Sequence, residues 1–419
     1  MPYQAKLEKQ QKEVKAIYIS SYIPRECGLA TYTKDLTTAI NVLNPQYLAK
    51  IIAIDNPGPE YDYPWEVEFR IAQEDLGSYK KAAEFINQSS AEVVNIQHEF
   101  GLFGGKIMTY PNYPNYLMPL GDYILELMRR VKKPIITTFH TVLPHPPKPH
   151  LEIVRRIAAL SRVTTVMINS AVSRLISDYK IPRRKIVMIP HGVPDFPRGC
   201  SKPFKKKLKI DEEQPVISTF GLINPGKGLE YAILAMPQIL AKNPKTLLLI
   251  IGETHPEIKK QTGESYRNKL KKLAQKLKVA SSVKFIDQYL ELEDLILYLK
   301  ATDIYVTPYL NPEQIASGTL AYAVGAGKAC ISTPYLFAKE VLGSGRGILV
   351  PFRDYQKIGQ KINYLLVHQN IRKEIEKKAH AYCKMMTWHN VALKHLNLFW
   401  LVAHDEKLRK LRLQKKAKV

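Results

Sequence analysis

Short runs of consecutive apolar, mostly β-branched residues alternate along this chain with longer stretches whose apolar positions recur every three to four residues. The runs fall at Val14–Ser20, Ile51–Ile54, Val93–Ile96, Ile135–Phe139, Val166–Ile168 and Ile186–Ile189, with amphipathic stretches such as Tyr32–Val42 and Tyr79–Gln88 between them. Strands apolar on both faces, separated by helices with one apolar stripe, are what a parallel sheet covered on both sides requires. The rhythm restarts after His191 and a basic, Pro-containing segment, with runs at Val216–Phe220, Leu247–Ile251, Val283–Ile286, Ile304–Thr307, Cys330–Ser332 and Ile348–Val350, and a final amphipathic helix over Trp388–Val402. The pattern predicts an α/β protein of two doubly wound domains, 1–198 and 199–385, followed by a helix and basic tail over 386–419. One segment breaks the rhythm. Gly101 to Tyr123, GLFGGKIMTYPNYPNYLMPLGDY, reads as a long loop, either an acceptor-facing lid or a packed surface insertion.

Composition adds limits. With 45% hydrophobic and 24% charged residues among 419, the chain is a folded protein too long for one core. Its four cysteines, Cys27, Cys200, Cys330 and Cys383, form no C-x-x-C pair, which argues against a disulfide framework or a zinc site and fits a reducing cytoplasm. The first residues are polar and charged, unlike a signal peptide, and the longest apolar runs, such as Thr246 to Gly252, are far shorter than a membrane span. Lys+Arg 62 against Asp+Glu 38 gives a formal charge of +24. Such a balance suits phosphorylated substrates, an anionic membrane surface or nucleic acid, or else a lysine-rich surface that keeps the protein in solution.

In doubly wound sheets ligands bind beyond the carboxyl ends of strands, so the loops after strands carry the candidate chemistry. Gly28 lies where the first strand turns into a helix, where backbone N–H groups can meet a phosphate; a tight turn needing glycine for steric reasons is the other reading. His98 and His140 follow successive strands, either facing a cleft there or as satisfied polar residues. Lys227 stands in a strand–loop–helix segment, placed to reach a phosphate at the helix N-terminus or else an ordinary exposed turn lysine. Ser317, Gly318 and Thr319 open a helix of small residues whose N–H groups can grip an anion, and Glu313 on the preceding loop can accept hydrogen bonds from sugar hydroxyls.

In this order the residues resemble the family-four glycosyltransferases, from Ser20 to about Asp354. PRECGLATYT from Pro24, QHEFGLFGG from Gln97, TFHTVLPHP from Thr138 and SGTLAYA from Ser317 are most similar to a mannosyltransferase-like branch. The resemblance implies the GT-B fold, two Rossmann-like domains facing across a cleft, with the N-terminal domain taking the acceptor, the C-terminal domain the donor, and the last helix returning to the N-terminal domain. It implies a retaining transferase, with mannose from GDP-mannose the first expectation and a glycan or lipid-linked acceptor. Neither metal nor cofactor is expected, the nucleotide sugar being a substrate. The catalytic set it implies is His140, Lys227 and Glu313. Gly28, Lys227, Ser317, Gly318, Thr319 and Leu320 are expected to hold donor phosphates, and His98, Glu99 and Arg25 to lie on the acceptor or sugar side. A cytoplasmic enzyme is expected, peripheral at an anionic inner membrane face through the basic segment Glu406 to Val419, or with that segment as a solvated end; no nucleic-acid partner is expected. Two positions depart from the family. Ala321 stands where a second glutamate usually holds the ribose, and Leu222 where an arginine follows the phosphate-loop glycine. These departures keep open a GT-B phosphorylase using a sugar 1-phosphate, and an inactive GT-B protein that binds polyanions.

Overall fold

The computed structural model describes residues 13–110, 113–196 and 199–416. The chain forms two compact α/β units, one running to Gly192 and resumed at Trp388, the other spanning Val193–Thr387. These divisions stand in place of the expected 198/199 and 385/386, for local packing reasons. Val193 N–H donates to Met386 O at 2.7 Å, and the Phe196 ring meets Tyr322, so both already belong to the second unit. The Trp388 ring lies so close over Gly192 that a Cβ there would sit 2.0 Å from it, which ties the last helix to the first unit.

The first unit is built on a seven-stranded parallel sheet. In chain order its strands are β1 (Ala16–Ser20), β2 (Lys50–Asp55), β3 (Val67–Ala72), β4 (Val93–His98), β7 (Ile135–Phe139), β8 (Val163–Val166) and β9 (Ile186–Met188), arranged β3-β2-β1-β4-β7-β8-β9. Every residue of β1, β4 and β7 is buried, which explains why apolar residues dominate them, with Asn95, Gln97 and His98 of β4 and two threonines of β7 as buried polar exceptions. Each fully buried Ile or Val in them contributes about 1.5–3 kcal/mol relative to exposure. β3 alternates instead, because it is the edge strand and buries chiefly Ile71. Helix Gly28–Leu43 buries Ala30, Thr33, Leu36, Thr37 and Ile40, one stripe at helical spacing, against the sheet and the final helix. That final helix, Trp388–Lys416, buries Val391, Ala392, His395, Leu396, Phe399 and Val402. Part of Gly101–Tyr123, expected as loop, forms an antiparallel hairpin of β5 (Ile107–Tyr110) and β6 (Tyr113–Pro119), paired from Ile107↔Pro119 to Tyr110↔Tyr113. Its prolines are compatible with pairing because each strand of a two-stranded ribbon has one unpaired edge.

The second unit carries a six-stranded parallel sheet of β10 (Val216–Phe220), β11 (Leu247–Ile251), β12 (Val283–Ile286), β13 (Ile304–Thr307), β14 (Ala329–Ser332) and β15 (Ile348–Leu349), ordered β12-β11-β10-β13-β14-β15. Helix Leu229–Leu240 lays Ile233, Met236 and Ile239 on a core that includes Leu248, Ile250, Ile304 and Ile331. The basic, Pro-containing stretch after residue 200 contains helix Lys202–Lys207. Lys205 is 3% exposed, its ammonium 2.7 Å from Asp303 and 2.8 Å from Gln214 O, while Asp303 also accepts Val216 N–H at 2.9 Å. This buried pair fastens the helix to the start of β10. Among the described residues no helix is long and apolar enough to cross a membrane. The basic segment from Glu406 continues the last helix to Lys416; the side chains of 409–416 and all of 417–419 lie outside the described residues.

Candidate functional site

Each sheet has a switch point where loops diverge from adjacent strands, and the candidate residues collect at both. In the second unit the adjacent strands are β10 and β13. After β10, Gly221 takes φ +113°, and Gly228 takes φ +59° just before helix Leu229–Leu240. Both conformations favour glycine. A Cβ on Gly221 would stand 2.9 Å from Lys227 Nζ and 2.9 Å from Thr319 Cγ2. The missing side chain is therefore what lets the lysine and the Thr319 helix come together. Lys227 Nζ donates to Tyr309 Oη at 2.8 Å and lies 4.6 Å from the centre of that ring. Tyr309 Oη in turn pairs with Thr319 Oγ1 at 2.7 Å, and Thr319 Oγ1 lies 3.2 Å from Ser317 Oγ. Ser317 caps helix Gly318–Gly325 by accepting Leu320 N–H at 3.3 Å. No acidic residue occupies that helix's first turn, so its positive end is uncompensated.

Lys227, Ser317, Gly318, Thr319 and Leu320 are thus brought to one place. Glu313 stands on the same β13-to-helix loop, its N–H donated to Asn311 Oδ1 at 3.0 Å. The loop is pinned by Leu336 N–H on Pro312 O and Phe337 N–H on Gln314 O. Leu222 is half-buried beside Gly221. Ala321 is 0% exposed, so its neighbours already fill the space a longer side chain would need.

In the first unit the adjacent strands are β1 and β4. The loop after β1 ends at Cys27, whose Sγ caps helix Gly28–Leu43 by accepting Ala30 N–H at 3.4 Å. Gly28 has no positive φ, and a Cβ there would meet nothing within 4 Å. Steric need does not account for this glycine, and the space beside its Cα is open. Arg25 Nη1 donates to Ile54 O at 3.1 Å, tying the loop to the end of β2.

His140 follows β7 and is 9% exposed. Its Nε2–H donates to Gln97 Oε1 at 2.7 Å, Gln97 Nε2 donates to Asn95 Oδ1 at 2.5 Å, and Asn95 Nδ2 donates to Ile136 O at 3.4 Å. Because the relay ends on a carbonyl that can only accept, it orients every member and fixes the imidazole with its proton on Nε2. Burial, then the nearby His191, His98 and His395, holds the His140 imidazole down at about 3, so it is neutral at ordinary pH. Tyr32 packs edge-on against His140 at 4.8 Å, His191 at 5.1 Å and Trp388 at 5.3 Å.

Glu99 is half-buried, accepting Thr141 Oγ1–H and Phe100 N–H, both at 2.9 Å. Burial pushes its carboxyl up to about 7 against the pull of those two donors. His98, expected on the acceptor or sugar side, is 0% exposed, enclosed by Phe100, Phe103 and Phe139 at ring distances of 5.3–5.9 Å. Neither ring nitrogen has a partner among the described residues. The contact it makes toward the site is through its carbonyl, which accepts His140 N–H at 3.0 Å.

Three residues at these two places carry little or no signal in sequence. Nothing in sequence joins Tyr309 to Lys227. Tyr32 has the pattern of one more apolar helix position. His191 does carry a signal, as a third histidine following a strand of the same sheet.

Residues 201–382 match the family model described as glycosyl transferases group 1. A GDP-mannose-dependent monoacylated alpha-(1-6)-phosphatidylinositol monomannoside mannosyltransferase of Corynebacterium glutamicum is 36% identical over 168 residues, 39% of this chain. The match spans 40% of that relative's length. Among solved structures, a glycosyltransferase of Rickettsia africae superposes with a TM-score of 0.69 at 17% identity, covering 93% of this chain and 99% of its own. An Anabaena protein solved with UDP and glucose gives 0.68 at 13% identity, covering 90% of this chain and 97% of its own. The second unit therefore resembles the group 1 glycosyl transferases over residues 201–382, and the two parallel-sheet α/β units have the GT-B fold.

Proposed function

We propose that the protein is a retaining glycosyltransferase that moves a hexose, with mannose from GDP-mannose the first candidate, onto a hydroxyl of a glycan or lipid-linked acceptor. The observation that carries this reading is the Lys227 ammonium, set by Tyr309 and the bare Gly221 beside the open N-terminus of helix Gly318–Gly325. A diphosphate leaving group needs charge stabilisation as the anomeric C–O bond breaks, and a fixed ammonium with aligned N–H groups supplies it without reorganisation. In this scheme the acceptor oxygen forms the new bond to the anomeric carbon on the face the leaving group departs, and its proton passes to a departing phosphate oxygen. Glu313 and the neutral His140 hold the transferred sugar, while ionised Glu99 accepts a hydrogen bond from the acceptor side; catalysis is then mainly positioning. The mannosyl donor is supported by the Corynebacterium relative's stated dependence on GDP-mannose, and a nucleoside diphosphate by the Anabaena complex.

A second reading, a phosphorylase using a sugar 1-phosphate, is favoured by the closed packing around Ala321. A thermal-shift panel of nucleotide sugars and sugar 1-phosphates separates the two, because a ligand that binds only the native state raises stability by mass action. Stabilisation by GDP-mannose or another nucleotide sugar is expected. Stabilisation by sugar 1-phosphates alone would replace this reading with the second.

A further inference from the structure

A groove of about 710 Å³ opens in the first unit, lined by none of the candidate-site residues. It is lined at Ile135, the first residue of β7, and at Arg162 and Lys185, which immediately precede β8 and β9. It therefore sits at the amino ends of the strands, on the sheet edge opposite His98 and His140. Six basic residues line it, Arg129, Lys132, Lys133, Arg162, Arg184 and Lys185, against the two acids Asp405 and Glu406 of the last helix.

Two of the cations have structural work. Lys185 Nζ donates to Ala158 O at 2.6 Å and Ala159 O at 3.1 Å, at the carboxyl end of helix Lys148–Leu160. Lys133 Nζ donates to Ser89 O at 2.5 Å and Ala91 O at 2.8 Å. Lys132 and Arg184 are exposed. Arg162 Nε is closed from solvent with no acceptor among the described residues. A buried donor left unpaired costs the desolvation of that group, and neighbouring like charges add repulsion. The repulsion registers on Lys185, whose ammonium is held below its ordinary value by burial first and then by Arg162 and Arg184. An oxyanion with several oxygens relieves both penalties, and guanidinium groups match the phosphate fork in particular.

We propose that this groove is an anion site for a phosphate-bearing ligand, sharing no residue with the donor loop, with Arg162 and Arg184 as its principal contacts. The phosphate belongs either to a soluble pyrophosphate or polyphosphate or to the headgroup of an anionic lipid; the recognising chemistry is the same.

Hydrogen exchange on the full chain tests this, read in peptides covering 129–135, 158–163 and 183–187, with inorganic tripolyphosphate and with phosphatidylglycerol vesicles as probes. Carrying Lys227→Ala in every sample keeps the donor loop out of the response, so the outcome does not depend on the assignment of the transferase site. Protection of all three peptides is expected from at least one probe; tripolyphosphate alone identifies a soluble ligand, and vesicles alone a lipid headgroup. Adding Arg162→Gln with Arg184→Gln should weaken the protecting probe at least tenfold. The pair Lys132→Gln with Arg184→Gln, both exposed and so without consequence for folding, should weaken it in the same direction. No protection by either probe, or unchanged affinity in both double variants, overturns the proposal.

Discussion

His395 offers a quantitative test of how the first unit is built. It lies on the last helix, 1% exposed, tilted 5.6 Å from Phe399, with neither ring nitrogen partnered among the described residues. Burial holds its imidazole down at about 3, whereas an unfolded histidine titrates near 6.5. The folded state therefore stays neutral while the unfolded state takes up a proton, so stability is intact above about pH 6.5 and is lost as pH falls from there toward 3. At pH 5 the loss is RT ln(1 + 10^1.5), about 2 kcal/mol, and at pH 7.5 it is below ~0.1 kcal/mol. His395→Leu removes this contribution. Relative to the parent, the variant should gain about 2 kcal/mol more at pH 5 than at pH 7.5, because any packing change is common to both and cancels. His98 and His140, held at about 3, and His191, held at about 4, carry the same liability. Together the four amount to about 8 kcal/mol at pH 5. Glu99, raised to about 7, works the other way and returns about 2 kcal/mol between pH 7 and 5. The net of about 6 kcal/mol is comparable to a whole domain's stability. Urea denaturation read by hydrogen exchange in peptides from 16–20 and 391–403 measures it locally. A His395→Leu effect equal at the two pH values would refute the reasoning.

Other outcomes follow from the same coordinates. Gly221→Ala forces a Cβ to 2.9 Å from both Lys227 Nζ and Thr319 Cγ2 at φ +113°, so denaturant titration should show a loss of about 1–3 kcal/mol, with weaker nucleotide binding alongside it. Wild-type stability and affinity would mean the close approach is not structural. Ala321→Glu puts a carboxylate into a fully buried position and should cost on the order of 3 kcal/mol without improving nucleotide affinity. A clear gain in affinity would instead reveal a vacant ribose pocket. Because the Glu99 carboxyl ionises near 7, the rate should rise with pH through that value, and Glu99→Gln should flatten the rise. An identical pH–rate profile in the variant would remove Glu99 from the acceptor side.

Much of the fold was legible because parallel strands buried on both faces leave largely apolar runs, unbroken in β11, LLLII. The edge strand β3, VEFRIA, was not, since its alternation buries little. The hairpin 107–119 was hidden by prolines that a two-stranded ribbon accommodates. Lys205 has the pattern of one charge in a solvated run; the distant Asp303, with Gln214 O, pairs its buried ammonium. At the site, Lys227 and the Ser317–Leu320 turn were legible from the position of each after a strand. Their meeting through Tyr309 was not, because contacts across 82 residues leave no mark in local pattern. The reverse holds for His98, where a strand-end position suggested ligand contact and three phenylalanines enclose the ring.

The central claim is that Lys227 is the fixed charge meeting a nucleoside diphosphate leaving group. Calorimetric titration of GDP, UDP and mannose 1-phosphate into the parent chain and Lys227→Ala tests it most directly. The account predicts that a nucleoside diphosphate binds the parent and that Lys227→Ala weakens it at least tenfold, while mannose 1-phosphate binds more weakly than the diphosphate. Equal nucleotide affinity in the two proteins, or binding of mannose 1-phosphate with none of GDP or UDP, would contradict it.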